Sequence, residues 1–339
     1  MRAPSRQRFI DAIEHRETGE VPLCEYDPDM KVVNAMMGRT YPMSMHAFDL
    51  PAEDYVELNR IMGNDTIYFS HVWRVGRKER RDAEGRIHYI DGEIKQDADL
   101  EALWFPDLNG IQRRLEALVR AAHDAGFGVI YGAQSAAFTS TVAIGFRDFC
   151  LAVIDRPAFV LDLQRRFQEY ALEELEMALR FPIDAAKIGS GLVTKNGPML
   201  SPEMMETFEL TLLRQQARMI KDRGLPLFLH IDGFVEAMIP GFIEMGVDIL
   251  NPIELCDGKQ DIYRIKEQFG DRLTLCGNID IDGVLLHGTP EEIADDVRRH
   301  IEALSPGGGY CVASSHNLHE LIPAENYFAM RDAVHDYRA

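Results

Sequence analysis

A single (β/α)8 TIM barrel is what this sequence predicts, and three observations carry the prediction. Eight apolar runs of strand length alternate with helical patterns along the chain; no long polar linker interrupts them; and no GxGxxG or GxxxxGK[ST] phosphate turn follows an early strand. A doubly wound sheet would favour such a turn, so a mononucleotide-binding fold is disfavoured. At 339 residues the chain exceeds the usual domain length, but parallel barrels run this long as one unit, so residues 1–339 are read as one domain.

Taken in order, residues 5–15 form a short amphipathic helix with Phe9, Ile10 and Ile13 on one face, leading into a first strand over 21–27. A helix over 51–62 precedes the second strand, which ends in His71. Residues 75–100 are charged and alternate around Gly85 and Gly92, the pattern of a hairpin excursion rather than a core strand. A helix over 108–126 hands over to strand three, 128–134. A long helical region over 146–181, broken near Pro157, precedes strand four, 185–192. Ser201 and Pro202 then fit a helix N-cap and first position. The most informative stretch, LPLFLHIDGFVEAMIPGFIEMGVDILNPIE from Leu225 to Glu254, reads as strand, turn, helix with a stop at Gly246, and strand. A helix over 259–269, strand seven over 273–280, a helix over 290–304 and strand eight over 309–317 complete the series.

Composition narrows the function. The chain is 46% hydrophobic and 27% charged, an ordinary globular balance. Its 55 acidic and 36 basic residues leave a formal charge of −19, which opposes nucleic acid as a partner. No apolar run approaches the ~18 residues of a membrane span and the first residues lack a signal-peptide core, so a cytoplasmic location is expected, without a membrane partner. The five cysteines form no CxxC pair and are expected to be reduced.

Barrel chemistry sits at the carboxyl ends of the strands, so the candidate site can be read from the sequence: Glu25 and Asp27, His71, Gln134, Ser190, His230 and Asp232, Glu254, Asn278 and Asp280, and His316. His230 and Asp232 lie two apart in a strand and share a face, where one metal or one substrate group could meet both. A plainer reading is available for each. His230 could be a hydrogen-bonded rim residue, and Asp232 a cap on the turn beside Gly233. His71 is a general base or further ligand, or else part of a hairpin root with Trp73 and Arg74. Glu254 needs a metal, a cation or solvent, with Arg74 or Lys187 as possible partners. Cys276 and Cys311 suit small buried apolar positions, and Cys311, opposite in parity to His316, is expected to point at a helix. Asp280 and Asp282 suit capping.

The segments SRQRFIDAIEHRETGEVP, GPMLSPEMMETF, LPLFLHIDG with FIEMGVDILNPIE, LCGNID and GGGYCVASSHNLHELIPAENYFAMRDAV span nearly the whole chain. On these the sequence resembles the uroporphyrinogen decarboxylase superfamily, which includes tetrapyrrole decarboxylases and zinc-using, cobalamin-dependent methyltransferases. The methyltransferase branch holds zinc with an H-x-C at the end of strand five and a later Cys near the end of strand eight. Laid on this chain, those positions are His230, Asp232 and, at or near it, His316, so both sulfur ligands are replaced. One carboxylate and one imidazole in their place still suit a divalent metal, with Cys276 or Glu254 as a spare fourth ligand.

The resemblance therefore implies metal-dependent transfer of a methyl group between a small methylated or methoxylated substrate and a corrinoid or thiol acceptor. His230, Asp232, His316 and Cys276 would be ligands; His71, Glu25 and Glu254 catalytic; Asp27, Gln134, Ser190 and Asn278 substrate-binding. The chain carries no corrinoid-binding DxHxxG segment, so a corrinoid would arrive free or on a partner protein, and the apolar helices leave room for a homodimer. The alternatives are uroporphyrinogen III decarboxylation and a catalytically inactive ligand-binding barrel. Against decarboxylation, CEYDPD stands where the decarboxylases carry a substrate-clamping arginine loop, His71 stands where they carry an aspartate, and Thr141 or a neighbour replaces their tyrosine after strand three.

Overall fold

Seven parallel strands form one curled sheet in the order β1 (Thr66–Ser70), β4 (Gly128–Gly132), β5 (Ala185–Ser190), β8 (Leu227–Ile231), β9 (Ile249–Pro252), β10 (Thr274–Cys276) and β11 (Tyr310–Cys311). The computed structural model describes residues 2–337. Between β1 and β4 the charged excursion is an antiparallel hairpin, β2 (Arg77–Arg81) and β3 (Ile87–Gly92), as its alternation requires. A two-residue pair, β6 (Val193–Thr194) and β7 (Gly197–Pro198), follows β5.

The eighth wall of the barrel is the segment around Leu23, reduced from the expected strand to a single bridge with Val312. On that side Cys24 N–H donates to Val312 O and Val312 N–H to Pro22 O, each at 2.9 Å. On the β1 side, side chains stand in for a ladder. Asp65 N–H donates to Leu23 O at 2.8 Å and the Asp65 carboxylate accepts from Leu23 N–H at 3.1 Å. Asn64 accepts from Glu25 N–H and donates to Glu25 O at 3.2 and 2.9 Å. The barrel is thereby closed.

Strand alternation sorts the core into two layers. Ile130, Ala185, Phe228, Ile249, Cys276 and Cys311 point inward, and Phe9 of the helix Arg6–Ile13 packs among them, plugging the amino end of the barrel. Ile67, Val129, Ile188, Leu229, Leu250 and Leu275 point outward against the helices. Cys311 faces the interior, correcting the expectation from parity. The chain leaves strand geometry after Cys311, so counting by twos from His316 fails. A separate cluster forms around Trp73 at the hairpin root, whose Nε1 donates to Glu174 at 2.7 Å.

The helices Leu108–Asp124, Phe146–Asp155 and Pro157–Ala178, broken at Pro157, and Pro290–Leu304 fall where their periodicity placed them. Ser201 caps the helix that starts at Pro202 by accepting from Met204 N–H. Helix Ala136–Ile144 is not evident in the sequence. Almost every side chain on it is buried, so it has no apolar stripe to reveal a period. Among the described residues no single helix is long and apolar enough to cross a membrane.

Because Asp65 also accepts from Ser5 N–H and pairs with Arg2 and Arg8, its loss removes an acceptor shared by two cations and by the Ser5 and Leu23 backbone donors. Asp65→Ala is expected to destabilise the fold by about 3 kcal/mol or more, read from urea melts, because breaking a buried pair by removing one partner costs about 3–5 kcal/mol.

Candidate active site

Inward-facing positions at the carboxyl ends of β1, β5, β8 and β9, with the loops after Leu23 and after β11, build one constellation. His230 ends β8 and faces the interior. Its Nδ1 lies 2.8 Å from both Asn251 Oδ1 and Tyr26 Oη, and Tyr26 Oη lies 2.9 Å from Asn251 Oδ1. The amide of Asn251 is oriented by its other end, where Nδ2 donates to Cys276 O at 2.9 Å. Oδ1 can therefore only accept, from Tyr26 Oη–H and from His230 Nδ1–H together. That assigns the proton to Nδ1 and leaves the Nε2 lone pair facing the site. Burial and the nearby Lys187 charge push His230 down to about 4, so the ring is neutral at ordinary pH.

Asp232 lies between two imidazoles, 3.7 Å from His230 Nε2 and 3.7 Å from His316 Nε2. These are charge contacts, too long for hydrogen bonds, and Asp232 Oδ1 is buried without a hydrogen-bond partner. Burial works against the charge on Asp232, but His230, His316 and Lys187 around it hold the carboxyl down to about 2. Asp232 in turn raises His316 above the ordinary imidazole value, against the effect of burial. The two rings are thus in opposite states, His230 neutral and His316 biased toward imidazolium.

Glu254 does not face the interior as a proton carrier. Its Oε2 accepts from Gly233 N–H at 2.6 Å, tying down the turn that presents Asp232. Gly233 adopts φ 88°, and a side chain there would meet the Thr194 carbonyl of β6. Neither Arg74 nor Lys187 is its partner: Arg74 pairs with Glu79.

Lys187, on β5, is the main residue that the strand-end reading missed. It is 6% exposed, and its Nζ sits 3.7 Å from the ring centre of Tyr26 and 4.6 Å from that of Tyr68. Burial pushes it down to about 7. The available signal was an inward-parity lysine inside the apolar run Ala185–Ser190. Tyr68 was missed for a related reason: β1 points Tyr68 inward and Phe69 outward, so His71 shares the outward parity. His71 is set among the charges of Arg114 and Asp49 on the helix side, its Nε2 buried without a partner, and burial lowers its pKa. It does not join the constellation, which corrects its expected catalytic role. Gly132, paired with Ser70 across β1 and β4, leaves the space that the Tyr68 phenol occupies.

The remaining expected residues divide. Gln134 and Ser190 line a cavity of about 360 Å³ with Lys187, His230 and Asp232. Gln134 donates to Ser70 Oγ at 3.1 Å, and Ser190 Oγ donates to the buried Glu209, on a π-helical turn, at 2.5 Å. Asp27 lines a second cavity of about 340 Å³ at the mouth, together with His316. It adopts φ 45° and holds the Ala47–Asp49 turn through His46 and Ala47 N–H, both at 3.3 Å.

Glu25, 2% exposed, accepts from Tyr26 N–H and Ser314 N–H at 3.1 and 2.9 Å, which places it in the seam rather than at the mouth. Asn278 points away from the interior. Its Nδ2 donates to Ile253 O at 2.7 Å, and its Oδ1 lies 3.2 Å from His300 of helix Pro290–Leu304. It pins Ile253, a β-branched residue held at φ 60°. Cys276 is fully buried in the interior plug with Cys24 and Cys311, so it does not stand with His230 as a ligand. Among the described residues no group of three or more His, Cys, Asp or Glu side chains is arranged to hold a metal ion. The residues expected to bind zinc make two paired contacts through Asp232 rather than a three-donor site.

The profile of the uroporphyrinogen decarboxylase (URO-D) family matches residues 81–337. The chain belongs to the uroporphyrinogen decarboxylase family. It is 27% identical over 262 residues to the uroporphyrinogen decarboxylase of Alkalilimnicola ehrlichii, spanning 73% of this chain and 68% of that one. It is 24% identical over 336 residues to that of Neisseria meningitidis, spanning 92% and 89%. Among solved structures, a methyltransferase from Methanosarcina mazei superposes with a TM-score of 0.77 at 18% identity, covering 99% of both chains, which establishes the shared fold. Within this family the (β/α)8 barrel is confirmed, and decarboxylase relatives by sequence stand beside a methyltransferase neighbour by structure.

Two measurements test the site as described. Metal analysis after zinc reconstitution and gel filtration is expected to find well under one ion per chain, unchanged by His230→Ala; one ion per chain, lost in His230→Ala and Asp232→Ala, would restore the ligand assignment. The second concerns pH. The unfolded chain protonates His230 near pH 6.5 and the folded chain near 4, so this group removes stability as pH falls through that window. Wild type should lose roughly 2 kcal/mol more than His230→Gln between about pH 6.5 and 4.5, measured by denaturant melts.

Proposed function

We propose that this protein transfers a methyl group from a small methylated or methoxylated compound to a thiol or corrinoid acceptor. The observation that carries the reading is the pair of imidazoles on either side of Asp232, one held neutral and one biased toward its charged form. Groups pushed apart in this way divide into base and acid. His230 and Asp232 line the inner cavity and His316 lines the mouth cavity, so the pair stands where two reactants would meet.

For a methyl ether and a thiol, the proposed step balances without another reactant. His230 Nε2 takes the thiol proton; the thiolate sulfur forms a bond to the methyl carbon; the carbon–oxygen bond breaks and its electron pair stays on oxygen. His316 then supplies a proton to the leaving alkoxide or phenolate, and the products are a thioether and a hydroxyl compound. Asp232 holds the charge on His316 before the step and offsets the charge gained by His230 after it. A corrinoid would supply a cobalt nucleophile in place of the thiolate. Cavities of about 360 and 340 Å³ do not enclose a corrin ring with its side chains, so it could meet the substrate only at the mouth. This step is carried by the side chains of the chain itself, with no part routed through zinc.

Tetrapyrrole decarboxylation has less support from the same geometry. The arginines lining the mouth are already engaged, Arg86 with Asp29 and Glu320, and Arg74 with Glu79. Asp27 and Asp29 line the same mouth and would repel a polycarboxylate.

The test is a demethylation assay over a panel of small methoxylated compounds, with a thiol or a reduced corrinoid as acceptor. In the thiol reaction His316→Gln and His230→Gln are each expected to lower kcat by about 10²–10⁴-fold. Efficient turnover of uroporphyrinogen without methyl transfer, or full activity in both variants, would overturn the reading.

A further inference from the structure

Lys187 is a buried amine whose ammonium form has no carboxylate paired with it. Among the described residues its Nζ makes no hydrogen bond or ion pair; its close neighbours are the faces of Tyr26 and Tyr68. A buried charge left in this way is costly, since ring faces return only part of the lost hydration. Asp232, the nearest candidate counter-ion, stands between His230 and His316 instead. Lys187 therefore faces the inner cavity with no carboxylate paired to its ammonium form.

The rest of that cavity has a consistent character. Ser135 lines it and is the N-cap of the nine-residue helix Ala136–Ile144, accepting from Phe138 N–H at 3.2 Å, so the positive end of a helix starts at the cavity wall. Phe138, Phe146 and Val193 form an apolar side, and the two phenylalanines are 37% and 43% exposed. Gly189 and Gly191 leave the floor open: a side chain at Gly191 would collide with Phe138, and one at Gly189 would meet only the His230 carbonyl, at an ordinary 3.8 Å.

We propose that the inner cavity takes a small carboxylate with an apolar body, its anionic group seated on Lys187 in front of the helix that Ser135 caps, and its body against Phe138 and Phe146. That this carboxylate is also the methyl donor rests on the methyl-transfer reading; that the cavity holds a carboxylate does not. A bound anion would pair Lys187, and the cavity of about 360 Å³ has room for a substituted ring and leaves His230 and Asp232 at its border for the reacting end.

Isothermal titration calorimetry in phosphate-free buffer separates the two readings, because it needs no methyl acceptor. The probes are 4-methoxybenzoate and its uncharged analogue 4-methoxybenzamide. Wild type is expected to bind the carboxylate at least tenfold more tightly than the amide, and Lys187→Met to abolish that preference. Lys187→Met should also melt at or above the wild-type temperature, since it replaces a buried amine that has no hydrogen-bond or ion-pair partner by an apolar side chain. Equal affinity for the two probes, binding of neither, or a preference that survives in Lys187→Met would overturn the proposal. If Lys187→Met does not fold, the comparison of the two probes on the wild-type chain decides alone. Carboxylate binding without demethylation would leave this inference standing and count against the methyl-transfer reading.

Discussion

The seam between the segment around Leu23 and β1 is the constraint on which the site depends. Other neighbouring strands are joined by ladders of backbone hydrogen bonds, but here the buried side chains of Asn64 and Asp65 do the joining, while on the other edge one bridge to Val312 and the Glu25 carboxylate tie the same segment to the chain after β11. Each carboxylate or amide satisfies backbone groups that a regular strand would have paired, so the chain can turn away from strand geometry immediately after Glu25. That turn lets Tyr26 reach across to Asn251 and His230, and sets Asp27 at φ 45° over the mouth. A regular strand would have placed Tyr26 on the face opposite Glu25 and extended straight past the opening.

From Tyr26 the dependence runs inward. Asn251 has one carbonyl oxygen for two donors, and its amide nitrogen is committed to Cys276 O, so His230 has no choice of tautomer. With Nδ1 carrying the proton, Nε2 presents a lone pair toward Asp232. Beyond Asp232, His316 lies on a loop that is more open to solvent, and there an imidazolium is favoured by the same carboxylate. One acid group between two environments of different burial is enough to separate two chemically identical rings into base and acid. The ammonium form of Lys187 nearby also disfavours a charge on His230.

The barrel was legible because its signals are collective. Eight apolar runs and their intervening helices survive errors at any one boundary, and the helix breaks at Pro157, Ser201 and Gly246 follow from single-residue backbone chemistry. The site was legible only where strand geometry persists to the strand's end. His230 and Asp232 end such a strand and are brought together. His71 failed because the inward residue of β1 is Tyr68, and parity then sends position 71 outward. Asn278 and Cys311 failed because the chain departs from extended geometry near them, with Gly277 at φ 148° before Asn278. Lys187 was overlooked because a lysine in the middle of a strand reads as an ion-pair partner, and nothing local reveals that the surrounding walls are tyrosine rings and open cavity. Glu25 and Glu254 look like catalytic carboxylates in sequence; only the folded chain shows that backbone N–H groups occupy them.

The account stands or falls on how protons are distributed over the two imidazoles, and ¹⁵N-detected NMR of the histidine side chains measures this directly, with His230→Gln and His316→Gln spectra supplying the assignments. At about pH 6 the account predicts that the His230 signal has the chemical shifts of a neutral ring protonated at Nδ1, while His316 has those of an imidazolium. A His230 ring protonated at Nε2 or at both nitrogens, or a His316 ring that is neutral at that pH, would contradict it.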